Sequence, residues 1–260
     1  MKVFGVYRNL GIEQFKGYVA EEWHADTFNI DAIQKFSEHR AWTLHSTERG
    51  SVDIDTNFGQ AYSSKYMSTP EKTANAQARL NPDTRIPEYH GQERLVATDQ
   101  LDKAIDEANR QAKRNVPIRP EVSNAYAETA EHLTDRVADD EGVSSKTLTT
   151  KEARQIAKEA KNEGFDPEKH GYTKQEEIQF DYIKGGLKAG LTAATITAIM
   201  QLLPEIYKAV DYLIKHGEIN VNQIKKSGTK VVSASGESFL RGTIAYSAEV
   251  AIKKGLLGEA

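Results

Sequence analysis

Acidic and basic side chains occur on two consecutive segments whose β-branched and aromatic residues predict strands. In residues 51–55, apolar residues alternate with Asp53 and Asp55, so a strand would place both carboxylates on one face. The next segment, residues 61–67, carries Lys65. A hairpin of suitable register would bring Lys65 beside the two aspartates. Carboxylate oxygens suit a divalent cation, and a nearby ammonium group can orient water or offset phosphate charge.

A third acid lies on the first predicted helix, which begins at Gly11 and runs to about Ala25. Its apolar residues recur at the helical spacings of three and four: Ile12, Phe15, Val19 and Trp23. Glu22 follows Val19 by three positions and therefore lies on the core-facing stripe. A buried carboxylate requires a partner. We therefore add Glu22 to the candidate metal ligands. The neighbouring His24 is interpreted as a surface or satisfied core residue, with a role as a base as the alternative.

Each candidate also has a purely structural interpretation. Asp53 and Asp55 can form the solvent face of an edge strand, where such alternation is ordinary. Lys65 can be a solvated strand lysine, and Glu22 can pair with a structural base such as Lys16 or Arg40.

The elements that position these residues are predicted in the order helix, three strands, helix, strand, helix. Breaks at Arg49-Gly50 and Asn57-Phe58-Gly59 separate the three strands. Thr69 and Pro70 begin the second helix, residues 93–97 form the fourth strand, and a helix with alanines at helical spacing follows from Leu101. The sequence predicts an α+β domain over residues 1–116.

The element order and the progression from acid to acid to lysine resemble the PD-(D/E)xK nuclease superfamily. The resemblance covers residues 11–115 and implies a Mg²⁺-dependent or Mn²⁺-dependent nuclease. The helix acid of the family falls on Glu22, its metal-binding aspartate on Asp53 and its catalytic lysine on Lys65. The second acid of the motif would stand at position 63, where this chain has Ser63, and Asp55 is the candidate replacement ligand.

Some branches of that superfamily carry a glutamine on the helix after the lysine. Gln77 is placed for this role, which implies that it binds substrate.

Residues 117–260 are predicted to be helical, with a linker or exposed loop near residues 138–150. Capping boxes mark helix starts at Thr149 and Thr173. In residues 185–203, small residues recur every four positions, which allows close packing of another helix. Lys188 and the low content of large apolar residues disfavour insertion into a membrane. A last helix over 237–254 is the predicted packing partner. These helices can also join two copies or bind another protein.

Composition narrows the protein class. There is no cysteine, which excludes disulfides, thiolate metal sites and a cysteine nucleophile. The N-terminal residues contain too few apolar side chains for a signal peptide, so a cytoplasmic location is expected. The net charge is −4, so any nucleic-acid contact must come from a local patch.

Three functional hypotheses follow. The first is a metal-dependent nuclease that cleaves phosphodiester bonds in DNA or RNA. The second is a nuclease-like module that binds nucleic acid or protein without catalysis. The third is a protein whose C-terminal helices act at a membrane or with a partner.

Overall fold

The structure is a computed structural model of the chain. It describes residues 9–35, 37–162, 208–209, 212–213 and 216–217. The chain divides into two compact units, Met1–Asp166 and Pro167–Ala260, and the elements below belong to the first. The helices predicted at 185–203 and 237–254 and the capping box at Thr173 lie outside the described residues.

The described part of the first unit contains five helices and five strands. In chain order they are α1 (Ile12–Gln34), β1 (Ala41–Thr43), β2 (Ile54–Thr56), β3 (Ala61–Ser64), α2 (Pro70–Gln77), β4 (Glu93–Leu95), α3 (Leu101–Asn115), α4 (Pro120–His132), β5 (Leu133–Thr134) and α5 (Thr150–Asn162). The predicted order from α1 to α3 is confirmed. The strands are shorter than predicted, and α1 continues nine residues beyond the predicted end at Ala25.

The five strands form one mixed sheet in the order β1-β2-β3-β4-β5. β1, β2 and β3 are antiparallel, with Ile54 opposite Tyr62 in the β2–β3 hairpin. β4 lies parallel to β3, with Arg94 opposite Ser63, and β5 lies parallel to β4. This register places the end of β3 beside the start of β2.

Helices cover both faces of the sheet. α1 packs on β1, β3 and α5, whereas α2, α3 and α4 pack on one another and on β4 and β5. Each face has its own apolar core. The first contains Phe28, Ile54 and Tyr62, and the second contains Val96 and Leu133.

Two helix starts follow the predicted capping chemistry. The Thr69 side chain accepts a hydrogen bond from the backbone N–H of Lys72, with Pro70 in the first turn of α2. At α5, the Glu152 N–H donates to the Thr149 hydroxyl at 3.1 Å, and the Glu152 carboxylate accepts from the Thr149 N–H at 2.9 Å. The helix starts predicted at Thr69 and Thr149 are confirmed.

The region after residue 116 differs from its predicted form. Leu133 and Thr134 form β5 instead of continuing a helical pattern, because the edge of β4 offers unpaired backbone groups that β5 satisfies. The compact unit Met1–Asp166 includes β5 and the segment that follows it. The segment predicted as a linker or exposed loop, 138–150, buries Val143 and Leu148. Among the described residues, no helix combines the length and the apolar character that crossing a membrane requires.

Candidate active site

The β2–β3 hairpin brings Asp53 and Lys65 together. The Lys65 Nζ lies 2.9 Å from Asp53 Oδ2, and the same oxygen accepts the backbone N–H of Ser64 at 2.7 Å. The backbone N–H of Asp53 donates a hydrogen bond to the Tyr62 carbonyl at 2.9 Å. The backbone N–H of Lys65 donates to the Leu95 carbonyl at 3.0 Å. The predicted contact between Lys65 and Asp53 is thus confirmed, and sheet pairing on both sides fixes it.

Lys65 is held on several sides. Its Nζ also donates to the Ser64 carbonyl at 3.0 Å and lies 4.8 Å from the centre of the Tyr89 ring. Burial by itself would lower the pKa of Lys65, but attraction to Asp53, aided by Tyr89 and Glu21, raises it above the ordinary value of 10.5. Lys65 is therefore protonated at neutral pH, and two of its three ammonium hydrogens have partners.

The acid that α1 brings into electrostatic range of this pair is Glu21. It is only 7% exposed, and burial, followed by repulsion from Asp53, raises its pKa well above the ordinary value of 4.5. Attraction to Lys65 offsets this only in part. No residue that the structure describes donates a hydrogen bond to the Glu21 carboxylate. A buried acid beside another acid, without a donor, is the kind of group that a cation would stabilise.

Glu22, the helix acid predicted from the sequence, is also buried but has other contacts. The Thr43 hydroxyl donates to its carboxylate at 2.8 Å, and the His45 Nε2 lies 3.1 Å away. The side chains of consecutive residues on an α-helix point about 100° apart, so Glu21 and Glu22 face different neighbouring residues. Glu22 ties α1 to the end of β1.

Asp55 is not part of the cluster. It lies opposite Ala61 across the hairpin, and Lys65 is four residues further along, roughly 13 Å at the usual rise of a strand. One Asp55 carboxylate oxygen accepts the backbone N–H of Thr56 at 2.9 Å.

The side chains of Gln77 and Ser63 are hydrogen-bonded to each other in the protein interior. The Ser63 hydroxyl donates to Gln77 Oε1 at 2.8 Å, and Gln77 Nε2 donates to the carbonyls of Ser63 and Leu95 at 3.2 and 3.4 Å. Both side chains are fully buried. Gln77 thus fastens α2 to β3 and β4, a contact that accounts for its position without a substrate.

His24 forms a separate buried network on the α1 face. Its Nδ1 lies 2.8 Å from the Ser145 hydroxyl and its Nε2 2.7 Å from the Tyr66 hydroxyl. Burial lowers the pKa of His24 to about 3, so the ring is neutral at physiological pH. The interpretation of His24 as a satisfied core residue is confirmed. The network fixes α1 against the segment that the sequence suggested was a loop.

A second group of metal-ligating side chains lies away from Lys65. Among the described residues, His39, Asp139 and Glu141 place one ligand atom each within 4.8 Å of one another. His39 Nδ1 is already 2.7 Å from Asp139 Oδ2, and the other Asp139 oxygen accepts the backbone N–H of Val143 at 2.8 Å. These contacts link the start of β1 to the turn after β5.

A cavity of about 280 Å³ opens beside the Asp53–Lys65 pair. One wall is the loop between β1 and β2, and the other is the segment between α2 and β4. Its lining comprises Ser46, Thr47, Glu48, Arg49, Gly50, Ser51, Asp53, Lys65, Arg79, Glu88 and Tyr89. The cavity gives Asp53 and Lys65 access to a ligand from outside.

Comparisons with known proteins return no relative. No family model matches the chain, and no curated protein or solved structure matches it significantly.

Proposed function

We propose that the protein is a divalent-metal-dependent nuclease that hydrolyses phosphodiester bonds in DNA or RNA. Glu21 and Asp53 are the metal-ligating acids in this proposal, and Lys65 positions the attacking water. Asp53 and Lys65 come from the sequence pattern, whereas Glu21 replaces Glu22 and Asp55 because of its surroundings in the fold.

One observation carries the proposal. The Glu21 side chain is only 7% exposed and lies within electrostatic range of Asp53, burial and that repulsion hold its pKa well above the ordinary value, and no described residue donates a hydrogen bond to its carboxylate. An ionised Glu21 in this place costs stability that Lys65, already paired with Asp53, offsets only in part, and a bound divalent cation would offset the rest. A structural ion pair between Asp53 and Lys65 would not need the second acid.

The donor set fits Mg²⁺ or Mn²⁺. These ions prefer oxygen ligands, and Mg²⁺ is commonly held by one or two carboxylates, with water and substrate phosphate completing its coordination. Glu21 and Asp53 are therefore sufficient without an acid at position 63. When bound, the ion would polarise the scissile phosphate and lower the pKa of a bound water.

Lys65 supplies the other half of the proposed chemistry. Asp53 and the Ser64 carbonyl take two of its hydrogens, and the third is available for a water or a phosphate oxygen. Its pKa, raised by attraction to Asp53 against the effect of burial, keeps the positive charge in place. A fixed cation beside the phosphate offsets the charge that develops on its oxygens during hydrolysis.

Cleavage of labelled single- and double-stranded DNA and RNA, with Mg²⁺ or Mn²⁺ and with chelator, tests the proposal. We expect metal-dependent cleavage that Lys65→Ala and Glu21→Gln each reduce by about a hundredfold or more. Lys72→Ala, at an exposed lysine of α2, is the matched control and should cleave like the parent protein. Cleavage that survives both site substitutions would assign the activity elsewhere.

The Ser63–Gln77 hydrogen bond favours a second candidate. The motif position for the second acid is taken by a serine whose hydroxyl is bonded inside the core, which suits a nuclease-like module that binds nucleic acid without cutting it. Strand binding without cleavage under any metal condition would support this alternative and overturn the catalytic proposal.

A further inference from the structure

The cavity beside Lys65 has walls that the fold holds in place. Gly50 has a φ of +70° and approaches so closely that a Cβ there would lie 2.7 Å from the Glu88 carbonyl oxygen. The Gln92 side chain donates to the Gly50 carbonyl at 3.0 Å, and Arg49 lies 3.6 Å from the Glu88 carboxylate. The two walls are thus joined at Gly50 and Glu88, and the cavity exists before any ligand arrives.

Among the described residues that line this cavity, Arg79 is the cation without an ion-pair partner. The other two lining cations form ion pairs, Lys65 with Asp53 and Arg49 with Glu88. Arg79 is exposed, and none of the described residues forms a hydrogen bond or ion pair with its guanidinium group. The unpaired lining acid, Glu48, belongs to the exposed loop, where solvent and salt screen its charge.

A guanidinium group without a carboxylate partner matches phosphate, to which arginine donates two parallel hydrogen bonds. Ser46, Thr47 and Ser51 line the same cavity and supply hydroxyl groups, although Ser51 Oγ already donates to the Glu48 carbonyl at 2.8 Å. The cavity volume of about 280 Å³ lies just below the roughly 300–1,000 Å³ typical of small-ligand pockets. It can admit one nucleotide unit but not a base pair.

We propose that this cavity binds a single nucleotide unit of an unpaired strand, next to the bond that is cleaved, with Arg79 contacting its phosphate. This inference rests on the proposed function for the position of the nucleotide next to the cleaved bond, whereas strand binding in the cavity can be tested separately from cleavage. It defines the substrate class as single-stranded or frayed DNA or RNA.

Fluorescence anisotropy with a labelled strand tests binding separately from cleavage. The full chain is titrated into single-stranded DNA, single-stranded RNA and duplex DNA, with Ca²⁺ in place of Mg²⁺ to keep the strands intact. We expect at least one single strand to bind more tightly than the duplex, and Arg79→Ala to weaken that binding about tenfold. Arg79→Lys should restore part of the affinity.

Arg114→Ala, at an exposed arginine in the last turn of α3, is the matched control and should bind like the parent protein. Thermal unfolding checks that each variant folds. Equal strand affinity for Arg79→Ala and the parent protein would overturn the cavity assignment, even if Lys65-dependent cleavage is observed. Arg79-dependent preference for a single strand without cleavage would support the cavity and overturn only the nuclease proposal. Equal Arg79-dependent binding of duplex would refute the restriction to unpaired strands.

Discussion

Glu21 on α1 and Asp53 before β2 form a pair of acids within electrostatic range of each other, and burial together with repulsion from Asp53 raises the pKa of Glu21. Lys65 moderates this repulsion but does not cancel it. The described part of the chain provides no hydrogen-bond donor for the Glu21 carboxylate, so, apart from burial, its protonation depends mainly on the charges of Asp53 and Lys65. Its consequences for stability can be measured directly.

Glu21→Gln should make the protein more stable relative to the parent as the pH rises. An acid whose folded pKa exceeds its unfolded value of about 4.5 costs stability above that pH. The cost grows by up to about 1.4 kcal/mol per pH unit until the folded pKa is reached. Glutamine has no such titration. Urea unfolding of both proteins between pH 4 and 8 gives the difference.

Glu22→Gln is the matched control, because Glu22 is equally buried but bonded to Thr43 and His45. It should destabilise the protein at neutral pH. If the stability difference between Glu21→Gln and the parent does not change with pH, Glu21 is not the strained acid described here.

His24 should make the fold sensitive to acid. Its folded pKa of about 3 lies below the ordinary value of 6.5, so between these values the unfolded chain binds a proton that the folded protein excludes. The contribution of neutral His24 to the free energy of unfolding is therefore fully present above about pH 6.5. It is lost on acidification by up to about 1.4 kcal/mol per pH unit. His24→Gln should remove this component, as measured by urea unfolding at several pH values.

The exposed His90 provides the control. His90→Gln should leave the acid sensitivity of the parent protein almost unchanged. An identical pH dependence for His24→Gln and the parent protein would contradict the assignment to the His24 network.

Gln77 should matter for stability through its contacts with Ser63 and Leu95. Gln77→Leu leaves the buried Ser63 hydroxyl and the Leu95 carbonyl without this partner, which should cost about 1–3 kcal/mol of unfolding free energy. Gln155→Leu, at an exposed position on α5, should change it by less than about 0.5 kcal/mol. Denaturant unfolding compares them. A substrate-binding role without a structural one would instead leave stability intact and weaken strand binding.

The sequence was sufficient to predict the Asp53–Lys65 contact because a two-residue period and a short turn determine which side chains of a hairpin meet. The sequence was not sufficient to predict which acid of α1 lies within electrostatic range of Asp53. α1 is buried on nearly all sides along residues 19–25, since the sheet, α5 and the segment after β5 surround it. An apolar stripe therefore could not distinguish Glu21 from Glu22, and only the packing of these layers decides which acid approaches Asp53.

Strand β5 and the buried segment after it could not be predicted from the sequence pattern either. Two residues are too few to show alternation, and the pairing of Leu133 with Arg94 depends on the open edge of β4. The polar residues of 138–150 suggest solvent exposure, but Ser145 is bonded to His24, and Val143 belongs to the core between α1 and the sheet. Long-range contacts of this kind leave no local periodicity.

Gly50→Ala should disturb the cavity, and Gly59→Ala supplies a matched comparison. Both glycines have positive φ, +70° and +84°, so alanine strains the backbone at either position by about 1–2 kcal/mol. Only at Gly50 would the new Cβ also meet another backbone atom, the Glu88 carbonyl oxygen at 2.7 Å, whereas nothing lies within 4 Å at Gly59. Gly50→Ala should therefore be the less stable variant by urea unfolding.

The same pair of variants separates cavity shape from general stability. Gly50→Ala pushes the β1–β2 loop away from Glu88 and should weaken single-strand binding by anisotropy at a temperature where both variants are folded. Gly59→Ala, in the turn between β2 and β3, leaves both cavity walls in place and should bind like the parent protein. The close approach of Gly50 to Glu88 is the contact that joins the two cavity walls. If both variants bind the strand equally well, the β1–β2 loop does not shape the binding site.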